Sequence, residues 1–213
     1  MNWFDRIVLL LTGLTAVYLI WRFYGRYQQK KALHDIYYIM GFLVLFISGV
    51  LLIFGGWGIL DSPYVLTVSS LIPLGITLGL MNQFVPKYKK IYSWFALIGL
   101  LAIAVTSIGD MPAKSIAVPL FHGVSGLIIL LLPFYRVFKK LSPTGFAMVG
   151  VGGLLIGIGG TALAFYKAGK PLFGIFTGEF ILMILAPLLL LMTLAYAWGF
   201  VIDIKYGDDY TAD

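Results

Sequence analysis

A single histidine, His122, interrupts the apolar run from Pro119 to Phe134, and the chain has only one other histidine, His34. An imidazole can hydrogen-bond, ligate a metal or exchange a proton near neutral pH. Facing lipid, it would lose its hydrogen bonds to water, at a cost of about 1–3 kcal/mol. We therefore expect His122 to face polar groups or a ligand inside the protein.

Other polar residues fall in the same predicted half of the apolar segments. Glu179 is the natural charged partner of His122, and Ser125 lies one turn further along the same segment. Hydroxyl groups from other segments complete a predicted ligand- or proton-binding pocket: Ser69, Ser70, Thr106 and Ser107, with Thr67, Thr161, Tyr166 and Thr177 nearby. Three environments stay open for the imidazole: a contact with Glu179, a hydrogen bond to a neighbouring Ser or Thr, or ligation of a metal or haem.

The two histidines are expected at different depths in the membrane, which disfavours a haem that both of them ligate. His34, followed by Asp35, begins the second apolar segment and is interpreted as an interfacial anchor. His122 is expected about 20 Å away along the membrane normal. A haem b held by His122 and a methionine such as Met183, or a bound quinone, stays open as a cofactor.

Several other chemistries are excluded by the residues present. The chain contains no cysteine, which rules out disulfides, cysteine–metal sites and cysteine nucleophiles. The stretch Gly123-Val124-Ser125-Gly126 resembles the GxSG motif of rhomboid proteases, but no histidine follows His122 to act as the base. The organisation in seven segments resembles that of microbial rhodopsins, which bind retinal through a lysine in the middle of the last segment. This chain has no lysine at that place. No independent catalytic constellation is found, so enzyme activity stays uncertain.

Seven apolar segments must position these residues. The 213-residue chain is 61% hydrophobic and 11% charged, with a mean hydropathy of +0.98. Soluble domains carry about 25% charged residues, and about 20 apolar residues span a bilayer as a helix. The sequence predicts an all-α, seven-helix membrane bundle in a single domain, 1–213, with spans at about 7–24, 36–58, 64–84, 91–109, 115–135, 144–166 and 174–202.

Lys and Arg residues are concentrated in the connections on one side of the predicted membrane. Eleven of the fifteen Lys and Arg residues lie after the first, third, fifth and seventh segments. Arg22 and Arg26 are counted in the first of these clusters. Lys and Arg are enriched in cytoplasmic loops, so we expect the N-terminus outside and the C-terminus inside. The basic clusters are interpreted as topology signals that contact anionic lipids.

Both ends of the chain are interpreted as parts of this membrane domain. The N-terminal stretch has one basic residue, Arg6, before its apolar run and no small-residue cleavage site, so it predicts a retained first helix. Residues 203–213 predict a short acidic cytoplasmic tail that begins at Asp203.

The sixth segment is rich in glycine. Gly153 and Gly157 form a GxxxG pattern, which favours close approach of another helix. We expect this segment to be buried in the bundle or in an oligomer interface, or to form a flat wall for a ring or lipid tail.

Two functions fit these features. The first is a subunit of a larger respiratory or redox complex in the cell membrane, handling quinone or protons near His122. The second is a small-solute or ion transporter or channel that uses the same pocket. The expected partners are the lipid bilayer and other membrane subunits or further copies of the chain, with no nucleic acid.

Overall fold

The computed structural model describes residues 1–167, 169 and 177–210, with the side chains of Tyr166 and Lys167 excepted. Over these residues the chain is helical and contains no strand. Eight α-helices follow in order: α1 Trp3–Lys30, α2 Leu33–Gly55, α3 Pro63–Ser69, α4 Leu71–Phe84, α5 Lys89–Ile108, α6 Lys114–Phe138, α7 Ala147–Lys167 and α8 Gly178–Tyr206. Short 3-10 turns lie between or after them, and the last is Gly207–Tyr210.

Seven helical segments of the described chain are long and apolar enough to cross a membrane. Helices α3 and α4 together form the third segment, Pro63–Phe84. The predicted all-α bundle with seven spans is confirmed, and it fits a multi-pass membrane protein. The predicted last span begins at 174, within 170–176, which lies outside the described residues.

The third span has one irregular position, Ser70, where the backbone keeps helical dihedral angles with φ of -61° and ψ of -23°. Ser70, a buried residue, separates α3 from α4. Three residues later, Pro73 has no N–H to donate to the carbonyl of Ser69, so one helical hydrogen bond is missing at this position. The hydroxyl groups of both serines instead donate to the Leu66 carbonyl, at 3.1 Å from Ser69 and 2.8 Å from Ser70.

Six of the spans pack in a ring, in the order α1, α2, α4, α6, α7, α8 and back to α1. Helix α5 lies outside this ring, against α3, α4 and α6. Lys31 and Ala32 alone connect α1 to α2, and Lys31 has a left-handed backbone with φ of 52°. This tight connection forces the two helices to lie antiparallel.

One end of the bundle contains the C-termini of α1, α4, α6 and α8, together with the basic clusters noted in the sequence. We call it the basic end. Helices α1 and α8 extend further toward this end than predicted, to Lys30 and Tyr206. As a consequence, Arg26 and Asp203 lie inside helices, although the sequence assigned Arg26 to a connection and Asp203 to the tail.

An aromatic core fills the ring near the basic end. Phe23 stacks on Tyr38 with ring centroids 4.6 Å apart, and Phe200 lies 5.2 Å from Phe23 and 4.9 Å from Tyr38. All three side chains are fully or almost fully buried. Their rings join α1, α2 and α8 directly below the charged residues described next.

Candidate functional site

Four helices meet in a buried network that we call the carboxylate cluster: Arg26 on α1, Asp35 and Tyr38 on α2, Gln83 on α4 and Asp203 on α8. Arg26 Nε donates to Asp35 Oδ1 at 2.7 Å, and its Nη1 donates to Asp203 Oδ2 at 2.9 Å. Gln83 Nε2 donates to the same Asp203 oxygen at 2.9 Å, and the Tyr38 hydroxyl donates to Gln83 Oε1 at 3.0 Å. The network therefore connects four spans through side chains alone.

The charges of the cluster are removed from solvent. The side chains of Arg26, Asp35 and Asp203 are 5%, 0% and 1% exposed. Taking an ion out of water costs several kcal/mol, so buried charges are found with partners. Here two carboxylates share one guanidinium, so the three residues carry a net charge of −1 when both carboxylates are ionised.

Each carboxylate keeps one oxygen without a partner. Asp35 Oδ2 and Asp203 Oδ1 are buried and accept no hydrogen bond from any described residue. A Cβ built on Gly207 would lie 2.8 Å from Asp203 Oδ1, so the turn after α8 covers this oxygen. A buried carboxylate oxygen without a hydrogen bond lowers the free energy of unfolding, so we expect a proton or a water molecule to satisfy it.

A cavity of about 250 Å³ opens beside the cluster at the basic end. Its lining includes Arg26, Gln83, Arg136, Asp203, Asp208 and Tyr210. Arg136 donates from Nε to Ser142 Oγ at 2.8 Å and from Nη2 to the Leu141 carbonyl, and its guanidinium lies 4.2 Å from the Phe84 ring centroid. The cavity is polar and large enough for several water molecules, which gives the cluster a route to the aqueous phase.

The predicted partners His122 and Glu179 are not joined in the structure. Neither a hydrogen bond nor an ion pair between them is present among the described residues. His122 Nδ1 is buried, and among the described residues its only interaction is with the Val118 carbonyl, one turn earlier on α6, outside regular hydrogen-bond geometry. Glu179 is exposed in the first turn of α8. Met183, the methionine considered as a haem ligand, is 62% exposed.

The predicted hydroxyl groups mostly bond within their own helices. Ser69 and Ser70 donate to Leu66, as described above, and Thr106 donates to the Ala102 carbonyl at 2.7 Å. The buried Ser107 Oγ has no partner. The side chain of Tyr166 lies outside the described residues.

Ser125 is the predicted site residue that takes part in contacts between helices. Its hydroxyl lies 2.9 Å from the Tyr92 hydroxyl on α5, and its carbonyl accepts from Thr77 Oγ1 on α4 at 3.2 Å. All three residues are buried. Ser125 therefore belongs to a small polar contact between α4, α5 and α6.

His122 and Ser107 lie at different depths. Phe121, next to His122, packs on Gly99 of α5. Ser107 is eight residues beyond Gly99 on that helix, which corresponds to about 12 Å. The hydroxyl groups predicted around His122 are thus spread along the bundle.

The glycines near His122 leave open space between α6 and α7. A Cβ built on Gly153 would lie 2.9 Å from Ile129 Cγ2, so the helices touch there. Moving away from the basic end, Gly157 and Gly160 on α7 come level with Gly126 and Gly123 on α6. A Cβ on any of these four would meet nothing within 4 Å. We call this stretch the glycine seam.

Sequence reasoning missed the carboxylate cluster because it placed each of the three charged members at a membrane surface. One local signal was present. Arg26 and Asp35 are nine residues apart, on either side of a two-residue connection, so opposite charges face each other across a tight helical hairpin.

The fold and the site define a seven-span helical bundle with a buried arginine–carboxylate network at one end. Within the described part of the chain, no three His, Asp or Glu residues lie close enough to hold a metal ion. Comparison with protein-family models, with curated protein sequences and with solved structures finds no match to this chain.

Proposed function

We propose that this protein handles protons in the cell membrane as a subunit of a larger energy-converting complex, and that the carboxylate cluster is its proton-binding site. The observation that carries the proposal is the charge imbalance: two buried carboxylates share one guanidinium, and each keeps an unpartnered oxygen. Buried charges without full compensation are costly, and clusters of such groups beside a cavity are candidates for functional sites.

A proton is the counter-charge that fits this site best. A proton on Asp203 or Asp35 would neutralise the net charge of the cluster without requiring a coordination shell. A bound metal ion would need several oxygen ligands, and Arg26 occupies the space between the two carboxylates. The cavity beside Asp203 supplies the water through which a proton would enter and leave.

Infrared difference spectroscopy tests the site directly. We expect wild-type protein to show the C=O band of a protonated, buried carboxylic acid, with a small shift in heavy water. The band should disappear in Asp203→Asn or Asp35→Asn. Asp110→Asn is the matched control, because Asp110 is an exposed carboxylate at the other end of the bundle, where a hydrogen bond from Lys114 keeps its pKa below the usual value. Absence of the band in the wild-type protein would contradict the proposal without relying on any variant.

A second candidate function is proton-coupled transport of a small solute, because the carboxylate cluster borders an open cavity at one end of the bundle. Proton flux into vesicles that contain this protein alone would favour transport. A protonated carboxylate without such flux, together with partner subunits after mild purification, would favour the complex.

The glycine seam is the place at which a quinone would bind in such a complex. Glycine backbones leave room for a flat ring, and His122 Nδ1 could hydrogen-bond to a ring carbonyl. This nitrogen is buried with no partner on another described helix and only the Val118 carbonyl of its own helix beside it, so a quinone carbonyl would give it a partner of better geometry. A quinone photoprobe should label α6 or α7 in the wild-type protein and label His122→Phe less.

A further inference from the structure

A second cavity, of about 260 Å³, lies at the basic end, between α1 and the end of α8. Its lining includes Trp21, Arg22, Gly25, Lys30, Ile204 and Asp208. We call it the α1 cavity. It shares Arg26 and Asp208 with the cavity described above, and its other lining residues differ.

Basic residues follow one face of α1 along this cavity. Arg22, Arg26 and Lys30 are spaced four residues apart, which places them one above another on a helix. Arg26 is occupied by the carboxylates of the cluster, so Arg22 and Lys30 are the cations available to a ligand. Both lie at the end of the bundle where lipid headgroups are expected.

Arg22 is held in position by its own helix. Its Nη1 donates to the Tyr18 hydroxyl at 3.1 Å, and its guanidinium lies 5.9 Å from the centroid of the same ring. Lys30 instead forms an ion pair with Asp208, in which the two side chains are 40% and 75% exposed. An exposed ion pair contributes little to stability, so a doubly or singly charged phosphate can compete for the lysine.

Space for a ligand comes from Gly25. It lies between Arg22 and Lys30 on the helix, and a Cβ built on it would meet nothing within 4 Å. Any larger residue would project into the α1 cavity. The glycine therefore leaves a recess that is flanked by two cations.

An apolar track runs from the cavity along the lipid-facing side of α1. Trp21 is 65% exposed at the cavity itself. The exposed residues that continue the track away from the basic end, at helical spacing, are Val17, Leu14 and Leu10. An acyl chain could lie along these side chains while its headgroup occupies the recess, an arrangement that a soluble phosphate would not use.

We propose that the α1 cavity binds the phosphate of an anionic phospholipid, with Arg22 and Lys30 as its cationic partners and Gly25 as the recess. Basic pockets at the headgroup level of membrane proteins recognise anionic lipids in this way. This inference does not depend on the proposed proton function.

The test uses the full-length protein in nanodiscs of phosphatidylcholine doped with phosphatidylglycerol, with retained lipid counted by native mass spectrometry. A basic residue near an anionic surface contributes about 1 kcal/mol. We therefore expect Arg22→Gln to retain phosphatidylglycerol about fivefold less well, and Arg22→Gln with Lys30→Gln about thirtyfold less well. Asp208→Asn, which removes the competing carboxylate, should increase retention.

A control variant and a measurement with inorganic phosphate test whether binding is specific to this cavity and to lipid. Lys87→Gln with Lys139→Gln is the matched control, since both are exposed lysines at the same end but outside the cavity, and it should leave retention unchanged. An equal loss in this control would reduce the effect to general surface charge and overturn the proposal. Binding of inorganic phosphate without selectivity for phosphatidylglycerol would overturn the assignment to a lipid.

Discussion

Arg26 and Asp203 lie 177 residues apart in the chain, yet the Arg26 Nη1 atom lies 2.9 Å from Asp203 Oδ2, and both side chains are at most 5% exposed. This bond closes the ring of helices by joining the first span to the last. Because Asp35 binds the same guanidinium, Arg26 connects three spans at once. Its removal would leave two buried carboxylates without the guanidinium that bonds to both of them.

Replacement of this arginine should be strongly destabilising. We expect Arg26→Met to lower the free energy of unfolding by about 3–5 kcal/mol, as is typical when one partner of a buried ion pair is removed. The measurement is a denaturation series in mixed detergent micelles. Combination with Asp35→Asn and Asp203→Asn should restore much of the loss, because the uncompensated charges are then gone. A loss below about 1 kcal/mol for Arg26→Met alone would mean that the carboxylates are already neutral.

The glycines of α7 should fall into two classes. A Cβ on Gly152 would lie 2.5 Å from Tyr196 Cε1, so Gly152→Ala should displace that buried ring and cost about 1–3 kcal/mol. Gly157 has nothing within 4 Å of such a Cβ. Gly157→Ala should therefore leave stability unchanged or raise it slightly, since alanine favours the helix.

Thermal unfolding of the purified protein in detergent measures the stability of both glycine variants. The decisive quantity is the difference between them, because each replaces one glycine of the same helix by the same residue. If Gly157→Ala were as destabilising as Gly152→Ala, then the glycine seam would be closed in solution, and the space described between α6 and α7 would be wrong.

The spans could be predicted from the sequence because the length of an apolar run is a local property. The pairing of polar residues could not be predicted in this way, because it depends on where helices that are distant in the sequence meet. Asp203 was assigned to a tail because it follows the last apolar run, but α8 continues to Tyr206 and buries it. Arg26 was counted with the exposed basic residues for the same reason.

The contacts of the glycines in α7 could not be predicted from the sequence either. The GxxxG pattern of Gly153 and Gly157 predicted one close contact for both residues. The structure has Gly153 against Ile129 and leaves Gly157 open, because α6 and α7 touch only near the basic end along this face. A pattern identifies residues that permit close approach, whereas the path of the neighbouring helix decides which of them are used.

The orientation of the bundle is open to a direct experiment, since the chain contains no cysteine. We expect the basic end to face the cytoplasm. Lys139→Cys at the basic end and Ala113→Cys at the opposite end both place a thiol at an exposed position. A membrane-impermeant thiol reagent added to intact cells should label position 113 and spare position 139. The reverse pattern would show that the topology is inverted.

The polar character of His122 can be separated from its packing. His122→Phe keeps a flat ring and removes both nitrogens. Nδ1 has no partner on another described helix, and its one interaction is with the Val118 carbonyl of its own helix. The loss of this weak interaction is offset by the burial of an apolar ring, so we expect the free energy of unfolding in detergent to stay within about 1 kcal/mol of the wild-type value, as measured by thermal unfolding.

The matched comparison for His122→Phe is Ser125→Ala, because Ser125 has the partners that His122 lacks. Its hydroxyl lies 2.9 Å from the Tyr92 hydroxyl, and removal of that bond would leave the buried phenol only its interaction with Thr77, so we expect a loss of about 1 kcal/mol. If His122→Phe destabilises the protein as much as Ser125→Ala does, His122 is a structural residue with a hydrogen bond in solution. If His122→Phe is stable but labels less with a quinone photoprobe than the wild-type protein, the imidazole binds the ligand and is not needed for packing.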